Sequence, residues 1–281
     1  MSRKRVFAVD AFRMKRMARS LDTDWPVNFA HRGASLRAPE NTLEAFQLAI
    51  ARGAGGLELD IHMTSDGHIV VIHDGSVDRT TDGAGLVRDM SLGEIYGLDA
   101  GYSFTPDGGA TYPYRGQGVR VPEVAEVFRE FPDHLVNIDI KEARPGLEVA
   151  LLESISDANA ENRVLVVSET WAVINRFRRL SGGSISTGAS RREIAIFYSL
   201  SMLHMEGFLC HPYDALQVPV EYRGRKVVTL RFVEAAHNRG VRVDVWTIDD
   251  ALEMRRLLDL GVDVIMTNRT EILEGVLGER R

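Results

Sequence analysis

Short apolar runs alternate with stretches of helical periodicity along almost the whole chain, and this alternation most restricts its fold. The runs are Asn28–Arg32, Leu57–His62, Leu135–Ile140, Val164–Val167, Ser184–Thr187, Gly207–Cys210, Val241–Thr247 and Val264–Thr267. Short apolar runs bounded by turn residues read as buried strands. Strands that alternate with helices imply a parallel sheet. Eight such units in 281 residues suit a (β/α)8 barrel, which takes roughly 250 residues. The spacing therefore predicts an α/β TIM barrel over residues 26–281.

One stretch departs from the rhythm. Residues 75–121 are rich in Gly, Asp and Tyr, and only Ser91–Tyr96 reads as a short helix. A loop this long inside a compact domain usually serves the function. It is expected as a small insertion over the barrel mouth, following a hairpin after the second strand. Asn41 with Glu44 reads as a capping box for the first helix. Pro122 is placed at the first position of the helix that runs to Glu130.

Charge and length exclude several classes. A net charge of −6 argues against general nucleic-acid binding. Cys210 is the only cysteine, so no intramolecular disulfide forms, which fits a reducing compartment. No apolar run reaches the roughly 18 residues of a membrane-spanning helix. Residues 1–25 form a basic extension, with seven Arg or Lys against Asp10 between Ser2 and Leu21. It reads as a helix closing the bottom of the barrel or as a basic amphipathic segment on an anionic membrane surface. The expected location is the cytoplasm, with peripheral membrane contact as the alternative.

Titratable residues gather at the ends of the apolar runs. His31 and Arg32 end the first, Glu58 and Asp60 lie in the second, and His73-Asp74 follows the return strand of the hairpin. Asp139 and Lys141 close the third barrel run, with Trp246 and Asn268 at the ends of the last two. In a barrel of this type the site lies at the C-terminal ends of the strands. Asp66-Gly67 reads as a two-residue type I′ turn. That register sets Asp60 opposite His73 and puts Glu58, Asp60 and His73 on one face. Carboxylate oxygens suit a hard divalent cation, and an imidazole beside it moves protons near neutral pH. The plain alternatives are a structural ion network, satisfied core histidines, and Trp246 as a barrel plug. His62 and His68 read as exposed hairpin residues, and His134, His204 and His237 as structural or exposed. His211 stands as a candidate at a strand end.

The motifs His31-Arg32-Gly33, Pro39-Glu40-Asn41-Thr42, Glu58-Leu59-Asp60, Thr64-Ser65-Asp66-Gly67, His73-Asp74 and Arg79-Thr80-Thr81-Asp82-Gly83 occur in that order. Asn137-Ile138-Asp139-Ile140-Lys141, Val245-Trp246-Thr247 and Ile265-Met266-Thr267-Asn268 follow. Together they resemble the glycerophosphodiester phosphodiesterase family. The resemblance implies a metal-dependent hydrolase that splits glycerophosphodiesters into an alcohol and sn-glycerol 3-phosphate. It implies Glu58, Asp60 and Asp139 as ligands of Mg²⁺ or Ca²⁺, and His31 and His73 as an acid–base pair. Arg32 and Lys141 would hold the phosphate, and Trp246 the glycerol or leaving group. The family usually carries glutamate where this chain has Asp139, so that ligand is expected to bind through water or at a shifted metal.

Two further readings compete. Tyr213–Pro219 resembles a membrane-associated branch of the family that cuts lysophospholipids to lysophosphatidic acid. The apolar helix expected over Arg191–Met205 and the basic extension lean towards that lysophospholipase D activity, with an acyl chain bound near Phe197 and Leu200. A non-catalytic binding barrel is the third reading, and the intact histidines and acids oppose it.

Overall fold

A computed structural model describes residues 26–280; the basic extension 1–25 and Arg281 lie outside the described residues. Among the described residues, eight parallel strands form a nearly closed barrel: β1 (Val27–His31), β2 (Gly56–Met63), β4 (Leu135–Ile140), β5 (Val164–Val167), β6 (Ser186–Thr187), β7 (Ala215–Val218), β10 (Arg242–Val245) and β11 (Val264–Thr267). β1 sits between β2 and β11, and a single bridge, Gly188 to Ala215, joins the two ends of the sheet. The strand β3 (Ile69–Val71) pairs with β2 outside the barrel path, and the hairpin β8–β9 (Glu221–Tyr222 and Arg225–Lys226) follows β7. The helices are α1 (Leu43–Ala51), α2 (Leu92–Tyr96), α3 (Val124–Glu130), α4 (Leu147–Asp157), α5 (Trp171–Leu180), α6 (Arg191–Met202), α7 (Leu230–His237), α8 (Ala251–Asp259) and α9 (Thr270–Gly278).

Side chains alternate along each strand, and that alternation sorts the molecule into two compartments. Leu57, Leu59, Ile61, Val136, Ile138 and Ile140 face the helices and build one half of the core; Leu216, Val218, Val243, Val245 and Ile265 build the other. The opposite parity faces the barrel interior. There Val27, Phe29, Val264 and Met266 pack together. The Phe29 ring leaves no room at Gly56, where an added Cβ would lie 2.5 Å from it. A polar set fills another part of the interior: Gln217 donates to Asn137 at 2.7 Å and to Asp244 at 3.1 Å, and Arg242 pairs with Asp244.

Several local expectations are corrected. The sixth barrel strand is Ala215–Val218, not Gly207–Cys210, whose first two residues lie in a 3-10 turn at Glu206–Phe208. Phe208 is 85% exposed, so this run buries too little to serve as a barrel strand, whereas Tyr213, Ala215, Leu216 and Val218 are buried. Thr42, not Asn41, caps α1 and accepts from the Ala45 amide. Glu123 caps α3, so Pro122 precedes the helix instead of opening it; its carbonyl accepts from the Val71 amide.

The hairpin register also slips by one residue. Ile61 pairs with Val71 and Met63 with Ile69, and the Ile72 amide bonds to the Asp60 carbonyl. Thr64 closes a loop longer than two residues by bonding to His68 through backbone and hydroxyl, with Gly67 at φ +92°. Hairpin loops of this kind place glycine in the left-handed region. His62 is buried at 5% exposure, not exposed, because it lies inside β2 against the His73 carbonyl and Glu142.

The insertion has its own small core of Val77, Val87, Ile95, Ala100, Val119 and Val121 against Val70 and Ile72. Ser91 caps α2 in a capping box with Glu94. The insertion is tied to α3 through Arg120, which grips Glu126, and through Tyr96, which donates to Glu123 and Glu126.

Candidate active site

The inward parity continues to the C-terminal ends of the strands. Phe29 is followed two residues on by His31, Asn137 by Asp139, Asp244 by Trp246 and Met266 by Asn268. Glu58 and Asp60 share this parity on β2. His31 pairs in register with Glu58, and Asp60 with Asp139. Residues from β1, β2, β4, β10 and β11 thus converge on one mouth, as the strand-end reading expected.

A tight turn after β1 arranges the first of them. Arg32 and Gly33 adopt left-handed conformations, φ +57° and +80°. Glycine is required at 33, because an added Cβ would lie 2.7 Å from the Ala45 backbone. The turn aims the Arg32 amide at Glu58 Oε2, 3.0 Å away. Asn41, also left-handed at φ +59°, donates to Asp60 Oδ2 at 2.9 Å. Non-glycine residues hold such conformations only where their surroundings over-determine them.

The carboxylates outnumber the cations at the centre. Arg32 Nε lies 3.1 Å from Asp60 Oδ2, while Lys141 Nζ lies 2.8 Å from Asp60 Oδ1 and 2.6 Å from Asp139 Oδ2. Burial acts to raise Asp60, but the charges of Lys141 and Arg32 outweigh it and hold Asp60 below its usual value. Burial, with the Asp60 and Asp139 charges, pushes Glu58 well above the usual carboxylate range. Burial also raises Asp139, against the pull of Lys141. Among the described residues, no set of three His, Cys, Asp or Glu side chains stands ready around a cation; the Lys141 ammonium lies between two of the candidate ligands. The donor set nevertheless fits a hard cation. It is all oxygen, and its three carboxylates outnumber the Arg32 and Lys141 cations beside them.

Each candidate histidine is held through Nδ1. His31 Nδ1 lies 2.9 Å from Asn268 Oδ1. The Asn268 amide nitrogen is already committed to Asp249 at 2.8 Å, and Ser35 donates to the same Asn268 oxygen. That oxygen is therefore the acceptor, and His31 carries its proton on Nδ1 with the Nε2 lone pair left for chemistry. Burial lowers the His31 pKa, outweighing the opposite pull of the Asn268 hydrogen bond. His73 Nδ1 faces Asp74 Oδ1 at 2.6 Å. The Arg79 hydrogen bond, followed by that of His73, holds Asp74 down to about 2 although burial acts the other way.

Trp246 is 38% exposed at the strand end, so it is not a barrel plug. Asp60, Asp139 and His31 carry specific polar partners at the mouth, yet the excess of carboxylate is not that of a closed structural network. His211, the further candidate, bonds to the Tyr213 carbonyl ahead of β7 and so lies at the N-terminal end of its strand, away from the mouth. His62 bonds to the His73 carbonyl at 3.2 Å and approaches Glu142. His68 and His237 pair with Glu123 and Asp263 on the outside.

Sequence reasoning left out Glu40, Asn41, Asp74, Arg79 and Asp249 as individual site residues. The motifs containing the first four signalled the neighbourhood without saying which side chains turn inward. Asp249 gave no signal, because it acts through Asn268.

A parallel barrel with ionisable side chains collected at the C-terminal mouth has the layout of a TIM-barrel enzyme. The model of the glycerophosphoryl diester phosphodiesterase family matches residues 31–272. A glycerophosphodiester phosphodiesterase of Caldanaerobacter subterraneus subsp. tengcongensis is 37% identical over 256 residues, covering 87% of this chain and 94% of that protein. One from Bacillus altitudinis is 32% identical, covering 85% and 93%. In structure the chain is similar to a glycerophosphodiester phosphodiesterase of Agrobacterium tumefaciens, with a TM-score of 0.72 at 23% identity over 89% of this chain and 99% of that one. An Oleispira antarctica phosphodiesterase in complex with the product sn-glycerol-3-phosphate gives a TM-score of 0.71 at 23% identity over 90% and 97%. The chain belongs to the glycerophosphoryl diester phosphodiesterase family.

Proposed function

We propose that the protein hydrolyses glycerophosphodiesters to an alcohol and sn-glycerol 3-phosphate, with His31 as general base and His73 as general acid. The observation that carries the assignment is the Asp249–Asn268–His31 relay. It supports a neutral His31 ring with its Nε2 lone pair open. His73, anchored on an ionised carboxylate, is oriented in the way that offsets the positive charge of a doubly protonated ring.

Glu58, Asp60 and Asp139 would hold a divalent cation, Mg²⁺ or Ca²⁺, which supplies positive charge against that of the phosphoryl oxygens. Arg32 and Lys141 bind the remaining phosphate charge from two sides. His31 Nε2 takes the proton of an attacking water as its oxygen forms the new bond to phosphorus. The bond from phosphorus to the alcohol oxygen breaks, and His73 delivers a proton to that oxygen, whose alkoxide is too basic to leave unaided. Trp246 lines the mouth and packs against the glycerol or the leaving group. The test is turnover of glycerophosphocholine with and without chelator. Release of sn-glycerol 3-phosphate with choline supports the reading, and no release in the metal-supplied protein overturns it.

A further inference from the structure

Glu40 and Arg79 belong to none of the roles above, yet they join two of them. Arg32 lies in the turn after β1, Glu40 in the turn before α1, Asp74 follows β3, and Arg79 lies in the insertion. Glu40 Oε1 accepts from Arg32 Nη1 at 3.1 Å and from Arg79 Nη2 at 2.7 Å, while its Oε2 accepts from Arg79 Nη1 at 2.8 Å. Arg79 Nε donates to Asp74 Oδ2 at 2.5 Å, and Asp74 Oδ1 meets His73 Nδ1 at 2.6 Å. One unbroken chain, Arg32–Glu40–Arg79–Asp74–His73, therefore runs from the phosphate grip to an acid–base histidine.

We propose that Glu40 and Arg79 are positioning residues that couple the hold of Arg32 on the substrate phosphate to the orientation of His73. The inference rests on the phosphodiesterase reading above. Arg79 spends both terminal nitrogens on Glu40, a fork geometry that lysine cannot reproduce. Glu40 is thereby left with one longer contact to Arg32. Its charge is balanced mainly by Arg79, so Arg32, which also lies 3.1 Å from Asp60 Oδ2, is drawn less strongly to Glu40 and can still meet the phosphate. Without Arg79, Glu40 turns wholly on Arg32 and competes with the substrate. Asp74 loses its second anchor at the same time, and the His73 ring with it. The Arg79 side chain is 48% exposed, so solvent screening leaves these pairs little weight in overall stability. Their effect falls on geometry at the mouth.

The test compares Arg79→Gln, Arg79→Lys and Arg79→Gln with Glu40→Gln in the full chain supplied with metal. It records kcat, KM, the pH profile and thermal melting with glycerophosphocholine. Arg79→Gln is expected to raise KM and lower kcat by about tenfold each, the scale of a lost charged hydrogen bond. Arg79→Lys should restore only part. Adding Glu40→Gln should recover KM, because the competing carboxylate is gone, so the two effects do not multiply. Unchanged kcat and KM with a lowered melting temperature would make the bridge a plain staple and overturn the proposal, as would fully multiplicative losses. If the wild-type protein releases no sn-glycerol 3-phosphate, the phosphodiesterase reading fails by itself. The bridge is then read from inorganic phosphate binding: weaker in Arg79→Gln supports it, and equal overturns it.

Discussion

Asp60 and Asp139 stand opposite each other in register on neighbouring parallel strands, and the Lys141 ammonium spans them at 2.8 and 2.6 Å. The pair places two carboxylates side by side facing the barrel interior, where each would repel the other without a cation between them. That arrangement, with Glu58 one pleat deeper, frames the expected outcomes for the site.

Chelation should abolish turnover, and readdition of Mg²⁺ or Ca²⁺ should restore it. Hard oxygen ligands and an excess of carboxylate motivate the expectation. Glu58→Gln should weaken metal binding in titration calorimetry while the protein still melts cooperatively. Full activity after exhaustive chelation would remove the metal from the mechanism.

His31→Ala and His73→Ala should each lower kcat by about 10²–10⁴, the range for a lost general acid or base. Asn268→Ala should reproduce part of the His31 loss, because the ring then loses the acceptor that sets its tautomer. Wild-type rates in either histidine variant would show that the assigned role is wrong.

Acyl chains should bring little gain. Phe197 is fully buried, edge-on to Phe232 with ring centroids 5.5 Å apart, so it belongs to the core and not to an apolar mouth wall. The exposed Met202 and Leu203 lie at the end of α6 farthest from β6. Rates measured from glycerophosphocholine to long-chain lysophosphatidylcholine, below micelle formation, should stay flat or fall. A steep rise with chain length would restore the lysophospholipase D reading. Phe197→Ala should cost about 3–5 kcal/mol of stability, as for other buried aromatics.

Acid should loosen the insertion. The Arg120 hydrogen bond holds Glu126 down to about 2, against the pull of burial. A carboxylate whose folded pKa is depressed stabilises the fold above its unfolded value of about 4.3, and that contribution is lost as pH falls towards the folded value. The Glu126 contribution to the melting temperature, read as wild type minus Glu126→Gln, should therefore be level above about pH 5 and be lost between about pH 4.3 and 2. Glu126→Gln should flatten that part of the acid slope. An identical slope in the variant would assign the loss to other groups.

The repeat of strands and helices was legible because each unit carries its own period. Local apolar patterns act over a few residues, and tertiary packing had only to close them into a ring. The inward parity of Glu58, Asp60, Asp139 and Trp246 was equally local, since side chains two apart share a face. The hairpin register was not, because Thr64 and the left-handed Gly67 chose a longer loop than Asp66-Gly67 suggested. The sixth strand was misplaced for a related reason: Gly207–Cys210 and Ala215–Val218 are both short apolar runs, and only burial against the neighbouring strands separates them. The relays lay further out of reach. Asp249 to His31 and Arg32 to His73 join residues distant in the chain, and no local pattern records a hydrogen bond that exists only once the barrel has closed.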